Sequence, residues 1–195
     1  MTSLERSERR PGVRILGVPG SLRAASMNRG LVRAAGELAP RGVDVVQYDL
    51  RSLPPFDADV EARGDPEPVA DFKRAIREAD ALLLATPEYN RGTSGVMKNA
   101  IDWASRPALA SPLSGKLVGI MGASAGLRGT ESAQDHVRQA LAFSRARTLE
   151  EPRVLVREAY AKFDAQGRLS DEETRARVAE LVGALVAALA QPKAA

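Results

Sequence analysis

The sequence predicts an α/β fold in which a doubly wound, five-stranded parallel sheet carries helices on both of its faces. Short apolar runs rich in valine, isoleucine and leucine alternate with amphipathic segments of about 10–15 residues. The runs are apolar at successive positions, which is typical of strands buried on both faces of a parallel sheet. Ligands of such sheets bind beyond the carboxyl ends of the strands, so we expect function in the loops that follow them.

The individual elements are predicted from local signals along the chain. The first strand, residues 13–18, is a β-branched run bounded by glycine and proline, and the first helix, residues 28–39, ends before Pro40 and Gly42. The remaining strands are predicted at 43–48, 81–86, 116–121 and 153–156. The remaining helices are predicted from about 66 to 79 and at 95–105, 131–145 and 171–190, where apolar residues recur at helical spacing.

Length and composition indicate one domain. The chain has 195 residues, of which 44% are hydrophobic and 27% charged, and we assign the core to residues 13–190. We expect a disordered N-terminal arm at residues 1–12 and a C-terminal tail at residues 191–195. Because no apolar run approaches the roughly 20 residues of a membrane span, and the first residues show no signal-peptide pattern, we expect a cytoplasmic protein without a membrane partner.

The residue types that the chain lacks exclude several chemistries. It has no cysteine and a single histidine, His136. Disulfides, thiolate nucleophiles and thiolate zinc sites are therefore excluded, and a histidine-rich metal centre is disfavoured. The 28 basic and 25 acidic residues are interspersed and leave a net charge of +3, a pattern that argues against a nucleic-acid partner.

The loop after the first strand carries donors for a phosphate group. It matches neither the GxGxxG nor the GxxxxGK[ST] pattern, so dinucleotide and P-loop chemistry lose their main support. The hydroxyls of Ser21 and Ser26, the Arg23 guanidinium and the N–H groups of a helix that begins near Asn28 suit a terminal phosphate monoester. The alternative is that Ser26 or Asn28 only caps the helix.

The loops after the third and fourth strands supply two further candidate surfaces. In the first of these, Tyr89 offers an aromatic face to a flat ligand and Asn90 a donor and an acceptor; the alternative is a structural turn with a half-buried tyrosine. The other contains GASAG, residues 122–126, which matches the GxSxG pattern of serine hydrolases. A triad would need His136, which is predicted in the helix that Ser124 itself opens, where its side chain points away along the helix. Small residues at a helix start suit hydrogen bonding to a polarised ring carbonyl instead.

Three ordered motifs, GSLRAASMN, TPEYN followed by GVMKNAIDWASRP, and GASAGLRG, resemble those of the NADPH-dependent FMN reductases, the family that includes chromate and quinone reductases. The resemblance runs from about residue 13 to residue 156 and implies a flavodoxin-like fold. It also implies FMN as cofactor, NADPH or NADH as hydride donor, and a small-molecule acceptor such as a quinone, chromate or free flavin. Members are usually dimers or tetramers, so a homodimer or homotetramer is implied here.

The resemblance also assigns a role to each loop. Phosphate contacts fall to Ser21, Arg23, Ser26 and Asn28, ring contacts to Pro87, Glu88, Tyr89 and Asn90, and contacts with the pyrimidine edge to Ser124, Ala125 and Gly126. The chain departs from the family pattern at Gly92, Thr93 and Ser94, where the family often has a small polar residue and a proline. The part of the second loop that faces the nicotinamide is therefore expected to differ in stiffness from that of the family.

No catalytic side chain is expected, because a flavin carries the electrons and the protein supplies position and electrostatics. Two alternatives remain open from the sequence: a flavodoxin-type electron carrier without nicotinamide turnover, and a serine hydrolase that uses GASAG. The carriers are usually acidic, so the net charge of +3 argues mildly against the first. Bleaching of bound flavin by NADPH tests the carrier, and reactivity of Ser124 toward a serine reagent tests the hydrolase.

Overall fold

The computed structural model describes residues 12–191, in which strands and helices alternate. The strands are β1 (Val13–Pro19), β2 (Val43–Gln47), β3 (Ala81–Ala85), β4 (Glu88–Tyr89), β5 (Gly92–Thr93), β6 (Leu117–Ala123), β7 (Arg147–Thr148) and β8 (Val154–Val156). The helices are α1 (Met27–Glu37), α2 (Ala58–Glu61), α3 (Glu67–Glu78), α4 (Gly95–Ala104), α5 (Glu131–Phe143) and α6 (Glu172–Ala190), with 3₁₀ helices at Leu50–Ser52 and Ala159–Lys162. Within residues 12–191, no helix has the length and apolar character to cross a bilayer.

The predicted terminal segments fall almost wholly outside this range. Of the N-terminal arm at residues 1–12 only Gly12 is described, and of the tail at residues 191–195 only Gln191. The disorder expected of both segments stays a prediction.

The main sheet is parallel and runs in the order β2-β1-β3-β6, with β7 and β8 both beside β6. β7 pairs with the beginning of β6 and β8 with its end, so two short strands share the fifth position. The predicted strand at 153–156 corresponds to β8, whereas β7 was not predicted because two residues carry no periodic signal. The order confirms the predicted flavodoxin-like, doubly wound sheet.

Two apolar layers fix the sheet between its helices. Ile15 and Leu83 point into the layer beneath α1 and α6, and Leu16, Leu82 and Leu84 point into the layer beneath α3, α4 and α5. Neighbouring residues of one strand therefore serve opposite faces, as the pleat of a strand requires. Burial of a large aliphatic side chain contributes about 1.5–3 kcal/mol, so the two layers stabilise the packing of the helices on the sheet. The loops lie outside these layers, at the carboxyl ends of the strands.

The switch in strand order brings the candidate loops to one edge. β1 lies between β2 and β3. The chain therefore adds β2 along one edge of β1 and then crosses over to add β3 along the other edge. The Gly20 N–H donates to the Ala85 carbonyl over 2.9 Å, and the Thr86 N–H donates to the Met121 carbonyl over 2.9 Å. These bonds continue the ladder past the strand ends and fix the starts of the first and second loops against their neighbouring strands.

The long segment between β2 and α3 is held by α4. The Asn99 side chain accepts from the Phe56 N–H over 2.7 Å and donates to the Pro54 carbonyl over 2.9 Å, and the fully buried Trp103 indole donates to the same carbonyl over 2.8 Å. Residues 49–65 contain the Leu50–Ser52 3₁₀ helix and α2. Asn99 and Trp103 therefore fix the segment between β2 and α3 to α4.

Candidate functional site

A cleft of about 150 Å³ opens where the loops after β1, β3 and β6 meet. Nine of the eleven residues selected from the sequence line it: Ser21, Arg23, Ser26, Asn28, Pro87, Glu88, Tyr89, Ser124 and Ala125. The other lining residues are Met27, Ala123 and Tyr160. Asn90 and Gly126 do not line the cleft, because Asn90 occupies a hairpin turn and Gly126 lies in the exposed part of the third loop.

The start of α1 presents hydrogen-bond donors to this cleft. Ser26 caps the helix by accepting from the Arg29 N–H over 3.3 Å, which leaves its hydroxyl hydrogen able to donate elsewhere. In the part of the chain that the structure describes, the N–H groups of Met27 and Asn28 have no protein acceptor. The first turn contains no acidic residue, so the positive end of the helix dipole faces the cleft without an internal counter-charge.

Asn28 joins the first loop to the third. Its side chain is 3% exposed, its oxygen accepts from the Ala123 N–H over 3.0 Å, and its nitrogen donates to the Ala123 carbonyl over 3.0 Å. The phosphate contact assigned to Asn28 stays a prediction. Because the side-chain amide bonds the main chain of β6 on both its oxygen and its nitrogen, the backbone N–H of Asn28 at the start of α1 is the donor that suits it.

The second loop is a β-hairpin. β4 and β5 pair antiparallel, with Tyr89 opposite Gly92, and Asn90 and Arg91 form the two-residue turn with φ angles of 51° and 62°. Two successive left-handed residues define a type I′ turn, which usually requires asparagine or glycine. Arg91 is neither, and a left-handed conformation costs such a residue about 1–2 kcal/mol. The strain of the hairpin is therefore concentrated at its turn.

The hairpin docks against α5 through its flanks. The Glu88 carboxylate accepts from the Ala133 N–H over 3.1 Å, and it caps a helix whose own Thr130 makes no side-chain cap bond. Glu88 therefore lines the cleft while its carboxylate caps α5, and the ring contact predicted for it stays a prediction. A Cβ at Gly92 would lie 3.1 Å from Nδ1 of His136, so Gly92 faces α5.

Hydrogen bonds strengthen the segment that departs from the family pattern. The hydroxyls of Thr93 and Thr86 are 2.7 Å apart and share a hydrogen bond. The Ser94 hydroxyl donates to the Gly20 carbonyl over 2.6 Å and accepts from the Met97 N–H over 3.1 Å. Where the family often has proline, this chain thus joins the second loop to the first and caps α4 with one serine.

The GASAG motif is not a strand-to-helix elbow in this chain. β6 continues through Ala123, two residues past the predicted strand end, and α5 begins at Glu131 rather than at Ser124. A Cβ at Gly122 would lie 2.3 Å from both the Thr130 hydroxyl and the Thr86 carbonyl, so close packing alone requires glycine there. The Ser124 hydroxyl accepts from the Gly126 N–H over 3.2 Å. With the single histidine packed beside the hairpin, the motif is explained by structure, and the hydrolase alternative has no support.

Tyr160 belongs to the cleft but was missed in the sequence. It lies in the 3₁₀ helix after β8, outside the three motif loops, and its side chain is 67% exposed. The Ala159 N–H donates to the Ser124 carbonyl over 3.1 Å, and this bond brings the segment to the third loop. Its position in the sequence could have indicated this role, because Tyr160 follows the fifth predicted strand and the loop after that strand also lies at the carboxyl edge of the sheet.

A larger groove of about 530 Å³ lies on the other side of Ser26, along α1 and β2. Its cations are bound to the protein, because the Arg29 guanidinium pairs with Asp49 at 3.4 Å and the Arg33 guanidinium donates to the Gly167 carbonyl over 2.5 Å. It also lies beside the sheet rather than at the strand ends, where ligands of such folds bind. The smaller cleft is therefore the candidate site.

Comparison with known proteins agrees with this geometry. Residues 13–161 match the family described as NADPH-dependent FMN reductase. The chain is 46% identical over 173 residues to an NAD(P)H-dependent FMN reductase of Pseudomonas aeruginosa, a match that covers 89% of this chain and 93% of that protein. It is 39% identical over 163 residues to a 2-hydroxy-1,4-benzoquinone reductase of a Burkholderia species, with coverage of 84% and 88%.

A solved structure extends the similarity to three dimensions. FerB, a flavoenzyme NAD(P)H:(acceptor) oxidoreductase from Paracoccus denitrificans, superposes with a TM-score of 0.82 at 31% identity, covering 91% of this chain and 97% of FerB. The sequence motifs, the strand order and the cleft thus agree with the family match. The chain belongs to the NADPH-dependent FMN reductase family and is an oxidoreductase that uses FMN and NAD(P)H.

Proposed function

We propose that this chain oxidises NAD(P)H and delivers the electrons to a quinone by way of FMN held in the cleft. The observation that carries the proposal is the convergence of phosphate donors, an aromatic side chain and small third-loop residues in one cleft. The Burkholderia relative is named as a benzoquinone reductase, which supports a quinone as acceptor. Chromate and free flavin are further candidates, and turnover with each acceptor at matched concentration ranks them.

The donors around α1 fit a phosphate monoester. Ser21 and Ser26 are buried and can donate hydroxyl hydrogens, Arg23 contributes an exposed guanidinium, and Met27 and Asn28 contribute N–H groups at a helix start. A dianion at this position would meet the dipole of α1 and a planar cation, both of which favour it. In the described part of the chain, these donors form a single group with no second group beside it that would bind another phosphate, which favours FMN over a dinucleotide flavin.

The remaining lining residues fit the ring of the flavin. Ligand pockets usually enclose about 300–1,000 Å³, so a cleft of about 150 Å³ holds only part of such a ligand. We assign the enclosed part to the phosphate and its chain, and the open mouth to the ring, where Tyr89 is 51% exposed. Ser124 and Ala125 are proposed for the pyrimidine edge. Asn90 and Gly126, which lie outside the cleft, are assigned no direct contact.

The protein's share of the reaction is position and electrostatics. Bound FMN supplies the hydride acceptor and the electron donor, so no side chain has to carry electrons. Arg23 and the start of α1 hold the anionic end, and Tyr89 and the small third-loop residues define the plane at the mouth. A carrier without nicotinamide turnover is disfavoured, because the family is described as NADPH-dependent and the Pseudomonas aeruginosa relative as NAD(P)H-dependent.

Flavin titration of wild type and Arg23→Ala tests this proposal. We expect wild type to bind FMN and to bleach it when NADPH is added, and Arg23→Ala to bind FMN about 10- to 100-fold more weakly, since a charge-assisted contact is worth about 1.5–3 kcal/mol. Arg63→Ala, which removes an exposed arginine outside the cleft, is the matched control for charge. Equal FMN affinity in wild type and Arg23→Ala, with the fold intact, would remove Arg23 from the phosphate site.

The proposal includes three features of the whole protein. We propose that residues 13–190 act as one domain, that the chain forms a homodimer or homotetramer as family members usually do, and that it works in the cytoplasm, as its composition predicts. Sedimentation of the purified protein tests the assembly state.

A further inference from the structure

We propose that Tyr160 is a binding residue of the FMN site and that its ring forms a fourth wall of the cleft, contributed by the segment after β8. This inference rests on the proposed function, because it names an additional contact for the same cofactor. It is independent of the three sequence motifs, none of which contains the residue.

The segment that carries Tyr160 is fixed to the third loop. Ala159 is fully buried and its N–H donates to the Ser124 carbonyl over 3.1 Å, while the Glu158 N–H donates to the Gly126 carbonyl over 3.3 Å. Ser124 in turn donates its own N–H to the Val156 carbonyl over 3.0 Å. The backbone beside Tyr160 is therefore bound to the third loop at two points, one of which is Ser124, a residue proposed to meet the pyrimidine edge.

The other end of the segment is also anchored. The Lys162 ammonium lies 3.1 Å from the Asp171 carboxylate, and the Ser170 N–H donates to the Lys162 carbonyl over 2.9 Å. Tyr160 thus projects from a short helix whose ends are both bonded to the fold. A side chain on such a support loses little backbone freedom when it contacts a ligand.

The backbone adopts an unfavourable conformation to form this support. Glu158 has φ 45° and ψ 42°, in the left-handed region, which is unfavourable for a residue that has a Cβ. Left-handed residues other than glycine also form the Asn90–Arg91 turn beside Tyr89. Such strain tends to occur at functional sites, and here it flanks both tyrosines of the cleft.

The position of Tyr160 distinguishes it from other exposed apolar side chains. Phe143 is 86% exposed at the end of α5, and it lines neither the cleft nor the larger groove. Tyr160 and Tyr89 line the same cleft from different loops. A tyrosine combines a flat apolar face with a hydroxyl, which suits a ligand that has an aromatic ring and polar edges.

The test is FMN titration of wild type, Tyr160→Ala, Tyr160→Phe and the matched control Phe143→Ala. Aromatic stacking on a base, used as an analogue, predicts about 5- to 100-fold weaker FMN binding in Tyr160→Ala. Tyr160→Phe keeps the ring and should bind within about threefold of wild type, and Phe143→Ala should match wild type. Because Tyr160 is exposed, we expect all four proteins to unfold at similar denaturant concentrations.

Equal FMN affinity in wild type and Tyr160→Ala would overturn the inference and leave the proposed function intact. A raised KM for the quinone with unchanged FMN affinity would also overturn it, since Tyr160 would then contact the acceptor. If wild type itself binds no FMN, the proposed function fails and this inference fails with it.

Discussion

The two sides of the cleft are built in different ways. The phosphate side is joined internally, since the buried Asn28 amide bonds the main chain of Ala123 twice and Ser94 holds the Gly20 carbonyl. The hairpin side is a four-residue ladder with a strained turn, and it is fixed from outside by the Glu88 bond to α5. Removal of a bond on the first side leaves buried main-chain groups unpaired, whereas removal of one on the second side loosens a docked surface element.

This comparison predicts the largest effect for Asn28→Ala. Two main-chain groups of the buried Ala123 would lose their partners, at a cost of about 1–3 kcal/mol each. We expect the free energy of unfolding to fall by about 2–6 kcal/mol in urea denaturation. Ser124→Ala removes a hydroxyl that bonds only within its own loop and should change stability by less than about 1 kcal/mol. Equal losses in both variants would show that the Asn28 link is not what fixes the phosphate side.

A smaller effect is expected for the cap that docks the hairpin. Glu88→Ala removes both the acceptor and the charge at the start of α5, so unfolding should become easier by about 0.5–2 kcal/mol. Glu88→Gln keeps an acceptor and should lose only the charge–dipole part, about 0.3–1 kcal/mol. Denaturation at low and high salt checks this, because the difference between wild type and Glu88→Gln should shrink as salt screens the charge. A difference that is independent of salt would contradict the dipole explanation.

The smallest expected effect concerns the contact between the hairpin and the single histidine. A methyl group at Gly92 would crowd Nδ1 of His136, an exposed side chain that can rotate, so Gly92→Ala should destabilise by no more than about 1 kcal/mol. In the double variant with His136→Ala this loss should disappear, giving a coupling energy of about 0.5 kcal/mol or more in a double-mutant cycle. Strictly additive changes in the free energy of unfolding would show that Gly92 and His136 do not interact.

The same variant checks the chemistry of the site. His136→Ala alone should retain NAD(P)H oxidation, because the flavin carries the electrons and the histidine only packs beside the hairpin. A loss of turnover by more than about a hundredfold, the range of general acid–base groups, would show that His136 transfers a proton.

The sequence by itself determined the order of the five main strands and five longer helices and most of the lining of the cleft. Apolar runs such as Ala81–Ala85 have the short length that is typical of a buried strand, and the serine, arginine and tyrosine side chains in the loops after such runs indicate hydrogen bonding and aromatic contact. Parallel strands then bring those loops to one edge, whichever residues they contain. This is why nine of the eleven selected residues share the cleft.

Only the tertiary structure decided which partner each polar side chain takes. Asn28 and Glu88 both line the cleft, and their side chains bond Ala123 and Ala133, which are distant in the sequence. Tyr160 reaches the cleft because hydrogen bonds between segments far apart along the chain carry it there. A hydrogen bond depends on distance and angle in space, which short-range patterns do not contain, and so the pattern of residues identifies the candidates while the packing of the fold assigns their contacts.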